Sequence, residues 1–240
     1  MILAVDAGNS RVKWGLHDGR EWLVKGWVPT ADTSALLQQW ATLTEPSRIM
    51  ISNVAGMDVR ADLERYSSRW PSKITWISAS NEQCGVSNGY RNPVQLGCDR
   101  WAALIAAWRL CSSACVVVNA GTAMTVDALN GQGRFIGGII VPGLTTMQRA
   151  LTANTAGLEM ASGRYEDFPT STAAALYSGA LAAMAGAVDK MVASLGRETG
   201  TEPQCLVSGG DADVLCERLS ADATIVDNLV LLGLIEIAKQ

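Results

Sequence analysis

The sequence predicts an α/β protein made of two related halves, and three observations carry that prediction. A short segment occurs twice: Ile2-Leu3-Ala4-Val5 runs into Asp6-Ala7-Gly8-Asn9-Ser10, and Val116-Val117-Val118 runs into Asn119-Ala120-Gly121-Thr122. Strand-like and helix-like runs alternate along the whole chain. Apolar residues make up 48% of the 240, enough for a sizeable core. Each copy of the repeat is an apolar run, a polar acceptor, a small residue, a glycine and a short polar donor. Apolar residues then resume, at Val12, Trp14 and Leu16 in the first copy and at Met124 and Val126 in the second. That pattern predicts a buried strand, a tight turn and a second strand pairing back.

The elements follow in order. After the first hairpin, residues 22–28 alternate as a third strand. Residues 33–42, with Leu36, Leu37 and Trp40, have helical spacing. A short strand at 48–53, an amphipathic helix at 57–69 and a brief strand at 74–77 come next. The stretch 81–96 is rich in Gly, Asn and Pro and reads as loop. Residues 100–110 read strongly as helix, with Trp101, Leu104, Ile105 and Trp108 on one face, the tryptophans as core. The second half repeats the theme: strands at 114–118, 124–129 and 135–141, helices at 146–151 and 172–195, a strand at 205–208, a helix at 212–219, a strand at 224–226 and a helix at 228–238. This predicts two similar domains, 1–113 and 114–240. No Gly/Ser linker separates them, so they are expected to pack with a cleft between.

Composition narrows the function. A formal net charge of −4 gives no electrostatic support to a general nucleic-acid or membrane-surface role. The apolar runs at 181–188 and 229–234 are stopped by Asp189 and Glu236, short of a membrane span. No basic segment precedes the first strand, so no secretion signal is expected. The six cysteines (Cys84, Cys98, Cys111, Cys115, Cys205 and Cys216) lack C-x-x-C spacing and share the chain with one histidine, which argues against zinc. Free thiols in the cytoplasm are the simplest reading. His17, in His17-Asp18-Gly19, reads as a hairpin-turn residue.

The glycine turns carry the chemistry. A glycine flanked by amide and hydroxyl side chains lets backbone approach phosphate oxygens closely. Asp6 either caps its turn through its side chain or holds Mg²⁺, through water, beside triphosphate oxygens. Asn9, Ser10 and the turn amides are phosphate donors, and Lys13 is within reach of one. A third glycine turn, Ser208-Gly209-Gly210-Asp211, is either a plain strand-to-helix loop with Asp211 as N-cap or a surface for an adenosine. Asp99 reads equally as the N-cap of the 100–110 helix or as a base. With Gly97 and Arg100 it offers a flexible approach, a proton acceptor and a fixed cation, suited to a small anionic alcohol. Tyr90 is a packing aromatic or a wall of that site.

Three glycine turns at strand ends resemble the nucleotide site of the acetate-and-sugar-kinase, Hsp70 and actin superfamily. That likeness implies two RNase H-like domains. The order of motifs over the chain is more specific, and resembles the type III pantothenate kinases, also called the Bvg accessory factor family. The matching residues are Asp6 to Ser10 with Lys13, Tyr90-Arg91-Asn92-Pro93, Gly97-Cys98-Asp99-Arg100, Gly121-Thr122, Gly137 to Leu144, Thr172 before an alanine-rich helix, and Gly209-Gly210-Asp211.

The resemblance implies phosphorylation of pantothenate by Mg-ATP, the first step towards coenzyme A. ATP would be bound by Asp6, Ala7, Gly8, Asn9, Ser10, Arg11, Val12, Lys13 and Thr122, with Asp6 near the metal. Pantothenate would be bound by Tyr90, Gly97, Cys98, Asp99 and Arg100, with Asp99 as general base, and by Thr172 from the neighbouring subunit of a homodimer. Ser171 or Thr172 is also a natural N-cap, and the small residues of 172–195 suit either packing within the domain or a subunit interface. Many family members begin the second turn with aspartate, associated with a bound K⁺ or NH₄⁺. Asn119 stands there in this chain, so the cation site is expected to be weakened. Two other classes fit part of the pattern: a kinase or ATPase of the same superfamily with another substrate, against which Tyr90 and Gly97 to Arg100 argue, and a non-catalytic nucleotide-binding regulator, against which Asp6 and Asp99 together argue.

Overall fold

The computed structural model describes residues 1–155 and 163–240, which divide into two compact units. The first is Met1–Leu110 with Asn228–Gln240, and the second is Cys111–Asp227. The first begins with β1 (Ile2–Ala7), β2 (Arg11–His17) and β3 (Trp22–Pro29), followed by a 3-10 turn at Thr30–Asp32 and helix α1 (Ala35–Trp40). Then come β4 (Arg48–Asn53), α2 (Met57–Ser67), β5 (Ile74–Trp76), the short strands β6 (Glu82–Gln83) and β7 (Val86–Asn88), and α3 (Cys98–Cys111). The second contains β8 (Cys115–Ala120), β9 (Ala123–Leu129), β10 (Arg134–Pro142), α4 (Leu144–Asn154), α5 (Thr172–Thr199), β11 (Gln204–Ser208), α6 (Ala212–Cys216) and β12 (Ala223–Ile225). The last helix, α7 (Leu229–Ala238), packs on β1 and β4 of the first unit.

The same sheet is built twice. Five strands of the first unit pair in the order β3-β2-β1-β4-β5, and five of the second in the order β10-β9-β8-β11-β12. In each, the opening strand is antiparallel to its hairpin partner and parallel to the strand on its other side. A central strand is covered on both faces, which is why β1 and β8 read as continuous apolar runs rather than alternating ones. Leu3, Val5, Trp14, Ile49, Ile51 and Trp40 belong to the first core, and Val116, Val118, Met124, Leu181, Met184 and Val207 to the second.

The helices show why they sit where they do. Every residue of α3 from Arg100 to Ala107 is buried, as an all-round apolar helix should be. Trp101 is fully buried and Trp108 half-buried. On α7, Gly233 is a contact residue: a Cβ there would run into the Ala102 carbonyl oxygen of α3. Helix α5 is capped by Ser171, whose side chain accepts from Ala174 N at 3.3 Å, and stops at Gly200, left-handed at φ 69°. Among the described residues, no helix is long and apolar enough to cross a membrane. His17 ends β2, where its Nδ1 accepts from Gly19 N at 2.9 Å and its ring meets Trp22 edge-on.

Several boundaries differ from the sequence-based expectation. The stretch 81–96 is not all loop. It holds the β6–β7 pair, turned by Cys84 and Gly85 at φ 51° and 80°, and a 3-10 turn at Pro93–Gln95. Both duplicated strands run two residues further than their apolar segments, so Asp6 and Asn119 lie inside strands. Helix α3 starts at Cys98, which puts Asp99 within its first turn rather than ahead of it. Helix α5 continues to Thr199 because nothing breaks it before Gly200. The contacts break the chain at 110/111 and return the last helix to the first unit, where the sequence suggests one boundary at 113/114.

Candidate active site

The first turn is a four-residue hairpin loop. Ala7 pairs with Val12, Asp6 pairs with Lys13, and Gly8 N donates to Arg11 O at 3.1 Å. A backbone bond closes this turn, and Asp6 stands in the ladder opposite Lys13. Asp6 is 8% exposed, and burial pushes its carboxyl pKa up to about 7. The Lys13 ammonium pulls against that shift, and the Asp99 carboxylate adds to it. A buried carboxylate with one partial counter-charge is placed to gain from a cation. Ala7 and Val12 are fully buried, backbone and side chain alike. The Arg11 guanidinium lies over the Trp27 ring, 4.4 Å from its centroid.

The second cluster is in the same unit, at the start of α3. Asp99 Oδ1 accepts from Arg100 N at 2.8 Å, and a Cβ on Gly97 would stand 2.5 Å from that oxygen. Glycine at 97 therefore gives the carboxylate room to fold back over the helix start. Arg100 is 6% exposed, and its Nη1 donates to Tyr90 Oη at 3.0 Å. A buried guanidinium held by a phenol is a fixed donor for an anion. Cys98 anchors the segment to β4: its thiol accepts from Ser52 Oγ at 3.3 Å and donates to Asn53 O at 3.5 Å. Burial raises its pKa, so it is a packed thiol rather than a nucleophile.

The second unit repeats the first turn with one residue fewer. Asn119 pairs with Thr125 and Ala120 with Met124, leaving a three-residue loop closed by Gly121 N donating to Ala123 O at 3.2 Å. On the parallel side, Asn119 pairs with Ser208 just as Asp6 pairs with Ser52, and both serines are buried. Two glycines crowd this turn. A Cβ on Gly143 would strike the Gly121 carbonyl, and one on Gly209, which sits at φ 109°, would strike that of Ala120. Asp211 occupies the N-cap position of α6 without a side-chain cap bond, while its backbone N donates to Ala120 O at 3.2 Å. The second and third glycine turns are thereby stitched together.

Thr172 is exposed at the first position of α5, and the cap is made by Ser171. A groove of about 320 Å³ beside it is lined by Met147 and Leu151 of α4 and by Thr172, Ala175, Leu176, Gly179 and Ala180 of α5. The first unit thus gathers the stretch from Asp6 to Lys13 with Tyr90 and Gly97 to Arg100. The second gathers Asn119, Thr122 and the Gly209 turn, with Thr172 at the head of α5. Ser52 was not singled out by sequence, and Ser208 and Gly143 stood inside motifs without a role of their own; the two serines hold matching positions on β4 and β11, the parallel neighbours of the duplicated strands.

Residues 2–194 match the family described as type III pantothenate kinase. A type III pantothenate kinase of Nitrosospira multiformis is 51% identical, the match covering 100% of this chain and 92% of its own. That of Aromatoleum aromaticum is 47% identical, covering 100% and 98%. Among solved structures, a conserved protein from Campylobacter jejuni described as a Baf family transcriptional activator matches with TM-score 0.62 at 21% identity. That match covers 99% of this chain and 97% of the other, a likeness of fold.

Proposed function

The chain belongs to the type III pantothenate kinase family, whose reaction is ATP-dependent phosphorylation of pantothenate at the entry to coenzyme A synthesis, and we propose how its residues divide that work. Asp99 is the general base. It takes the proton of the pantothenate primary hydroxyl as that oxygen bonds to the γ-phosphorus, and the bond from phosphorus to the β,γ-bridging oxygen breaks to release ADP. Arg100, oriented by Tyr90, binds the pantothenate carboxylate. The stretch from Asp6 to Lys13 is the phosphate arm, with Thr122 as a further ATP contact. The observation that carries this reading is the cluster at the start of α3, where the Asp99 carboxylate, accepting from Arg100 N at 2.8 Å, stands beside a buried Arg100 guanidinium that Tyr90 Oη holds at 3.0 Å, a proton acceptor next to a fixed anion donor.

The donor set fits Mg²⁺. Among the described residues no group of three or more His, Cys, Asp or Glu forms a protein cage, and Asp6 is one buried carboxylate beside a phosphate-type turn. Mg²⁺ commonly keeps several waters and takes one or two carboxylates plus substrate phosphates. Asp6 would hold it through water, and the bound ion supplies charge neutralisation on the phosphates. Asn119 keeps an oxygen ligand for K⁺ or NH₄⁺ and lacks the charge. Asn119→Asp is accordingly expected to shift half-maximal activation to several-fold lower K⁺ in a titration of initial rate; superimposable curves for the two proteins would contradict this.

The protein acts in the cytoplasm as a homodimer, with Thr172 reaching the pantothenate of the neighbouring subunit. Support comes from its exposed position at the head of α5 and from the apolar groove alongside, where Leu151 is 45% exposed. A mixing experiment tests it. Asp99→Asn and Thr172→Arg homodimers, each inactive, are unfolded and refolded together. Heterodimers then carry one site with both native residues, so activity returns to about a quarter of wild type. No recovery, with heterodimers shown to form, would place Thr172 in its own subunit's site or outside any.

A further inference from the structure

We propose that Thr30 and Thr146 are positioning residues, each bracing one of the two phosphate turns from a neighbouring element so that a peptide N–H faces the phosphates. This rests on the reading of both turns as ATP contacts and assigns their shape to residues outside every motif.

Thr30 follows β3, the third strand of the meander. Its Oγ1 donates to Gly8 O at 2.7 Å, and its backbone N donates to Ser10 O at 3.1 Å. One residue therefore ties down two carbonyls of the first turn. Thr146 sits in the first turn of α4. Its Oγ1 donates to Thr122 O at 2.6 Å, and Gly143 N, at the head of the same helix, donates to that oxygen at 3.0 Å. The two units thus use the same device, a threonine hydroxyl on a carbonyl inside the loop, delivered by the 3-10 turn after β3 in one case and by α4 in the other.

The consequence follows from peptide planarity. In a trans peptide the C=O and the next N–H point in opposite directions. Turning Gly8 C=O towards Thr30 turns Asn9 N–H away from it, and turning Thr122 C=O towards Thr146 does the same for Ala123 N–H. Glycine at 8 imposes little steric preference of its own, so an unbraced turn is free to flip that peptide. A flipped peptide would present a carbonyl oxygen where a donor is needed, which repels an anion. The hydroxyls remove that alternative before ATP arrives, a form of preorganisation. Gly143 keeps the second brace close, because any side chain there would meet the Gly121 carbonyl.

Valine removes each hydroxyl and keeps the shape. Thr30→Val and Thr146→Val are each expected to raise KM for ATP about fivefold, the equivalent of one ordinary hydrogen bond. KM for pantothenate at saturating ATP should stay within about twofold, and Thr30→Ser should restore wild-type values. The double variant should lose about 25-fold, since the two braces serve separate loops. Lower melting temperature with unchanged KM for ATP in both valine variants would overturn the braces and reduce them to structural bonds. Should Thr30→Val fail to fold, Thr146→Val alone decides. Asp6→Asn, measured alongside, separates the two levels: if it keeps wild-type activity and ATP affinity, the reading of the turns has failed rather than the braces.

Discussion

Asp6→Asn is expected to leave the metal-free protein more stable at pH 8 than wild type, and nearly without activity. Burial raises the Asp6 carboxyl from 3.8 to about 7, so its folded pKa lies above its unfolded one. The sign is then fixed. Whatever the protonated group contributes is fully present below about pH 4 and is lost as pH rises through 7. At pH 8 the folded protein carries an ionised, poorly solvated carboxylate that asparagine does not reproduce. The shift corresponds to a difference on the order of 3–4 kcal/mol between pH 4 and pH 8, since each pK unit is worth about 1.4 kcal/mol. Urea denaturation of both proteins in chelator at the two pH values measures it. A stability difference that does not change with pH would contradict the assignment. The accompanying loss of activity, about a hundredfold or more, follows from the proposed role of Asp6, in which the cation and phosphates would offset the burial of that charge.

Asp99→Asn should lower kcat by about 10²- to 10⁴-fold, the usual value of a positioned general base. Asparagine keeps the size of the side chain, and its amide oxygen can still accept from Arg100 N, as Asp99 Oδ1 does at 2.8 Å. Arg100 and Tyr90 are untouched, so KM for pantothenate should change little. A parallel fall in binding would instead make Asp99 a binding group. Loss of the Asp99 charge should also let Asp6 ionise more readily, because that charge is one of the causes of its raised pKa. The variant therefore gains slightly in metal-free stability at pH 8. That gain separates a lost base from a damaged fold.

The legible parts of this chain were those with local physical signatures. The duplicated strand and glycine turn stood out because both copies are buried on two faces and both must reverse direction at once. The topology confirms the repetition down to register: Asp6 and Asn119 face Ser52 and Ser208 across parallel neighbours. Boundaries were less legible where polar residues continue an element. Asp6 and Asn119 extend their strands past the apolar run, and Cys98 and Asp99 start α3 ahead of its apolar face. The β6–β7 hairpin was hidden because Cys84, not asparagine or aspartate, opens its two-residue turn in the left-handed region. The braces were out of reach of sequence reading altogether. Thr30 and Thr146 act on carbonyls 22 and 24 residues away, and a lone threonine after a strand or in a first helical turn has no distinguishing pattern.

In the proposed mechanism one unit joins a phosphate arm at Asp6 to a base at Asp99. Its most direct test is single-turnover phosphorylation of pantothenate, with enzyme in excess and ATP, Mg²⁺ and K⁺ saturating, in wild type and Asp99→Asn. Wild type is expected to form 4′-phosphopantothenate in a rapid exponential phase, and the variant to bind both substrates yet form product at least about a hundredfold more slowly. Equal single-turnover rates in the two proteins would contradict it.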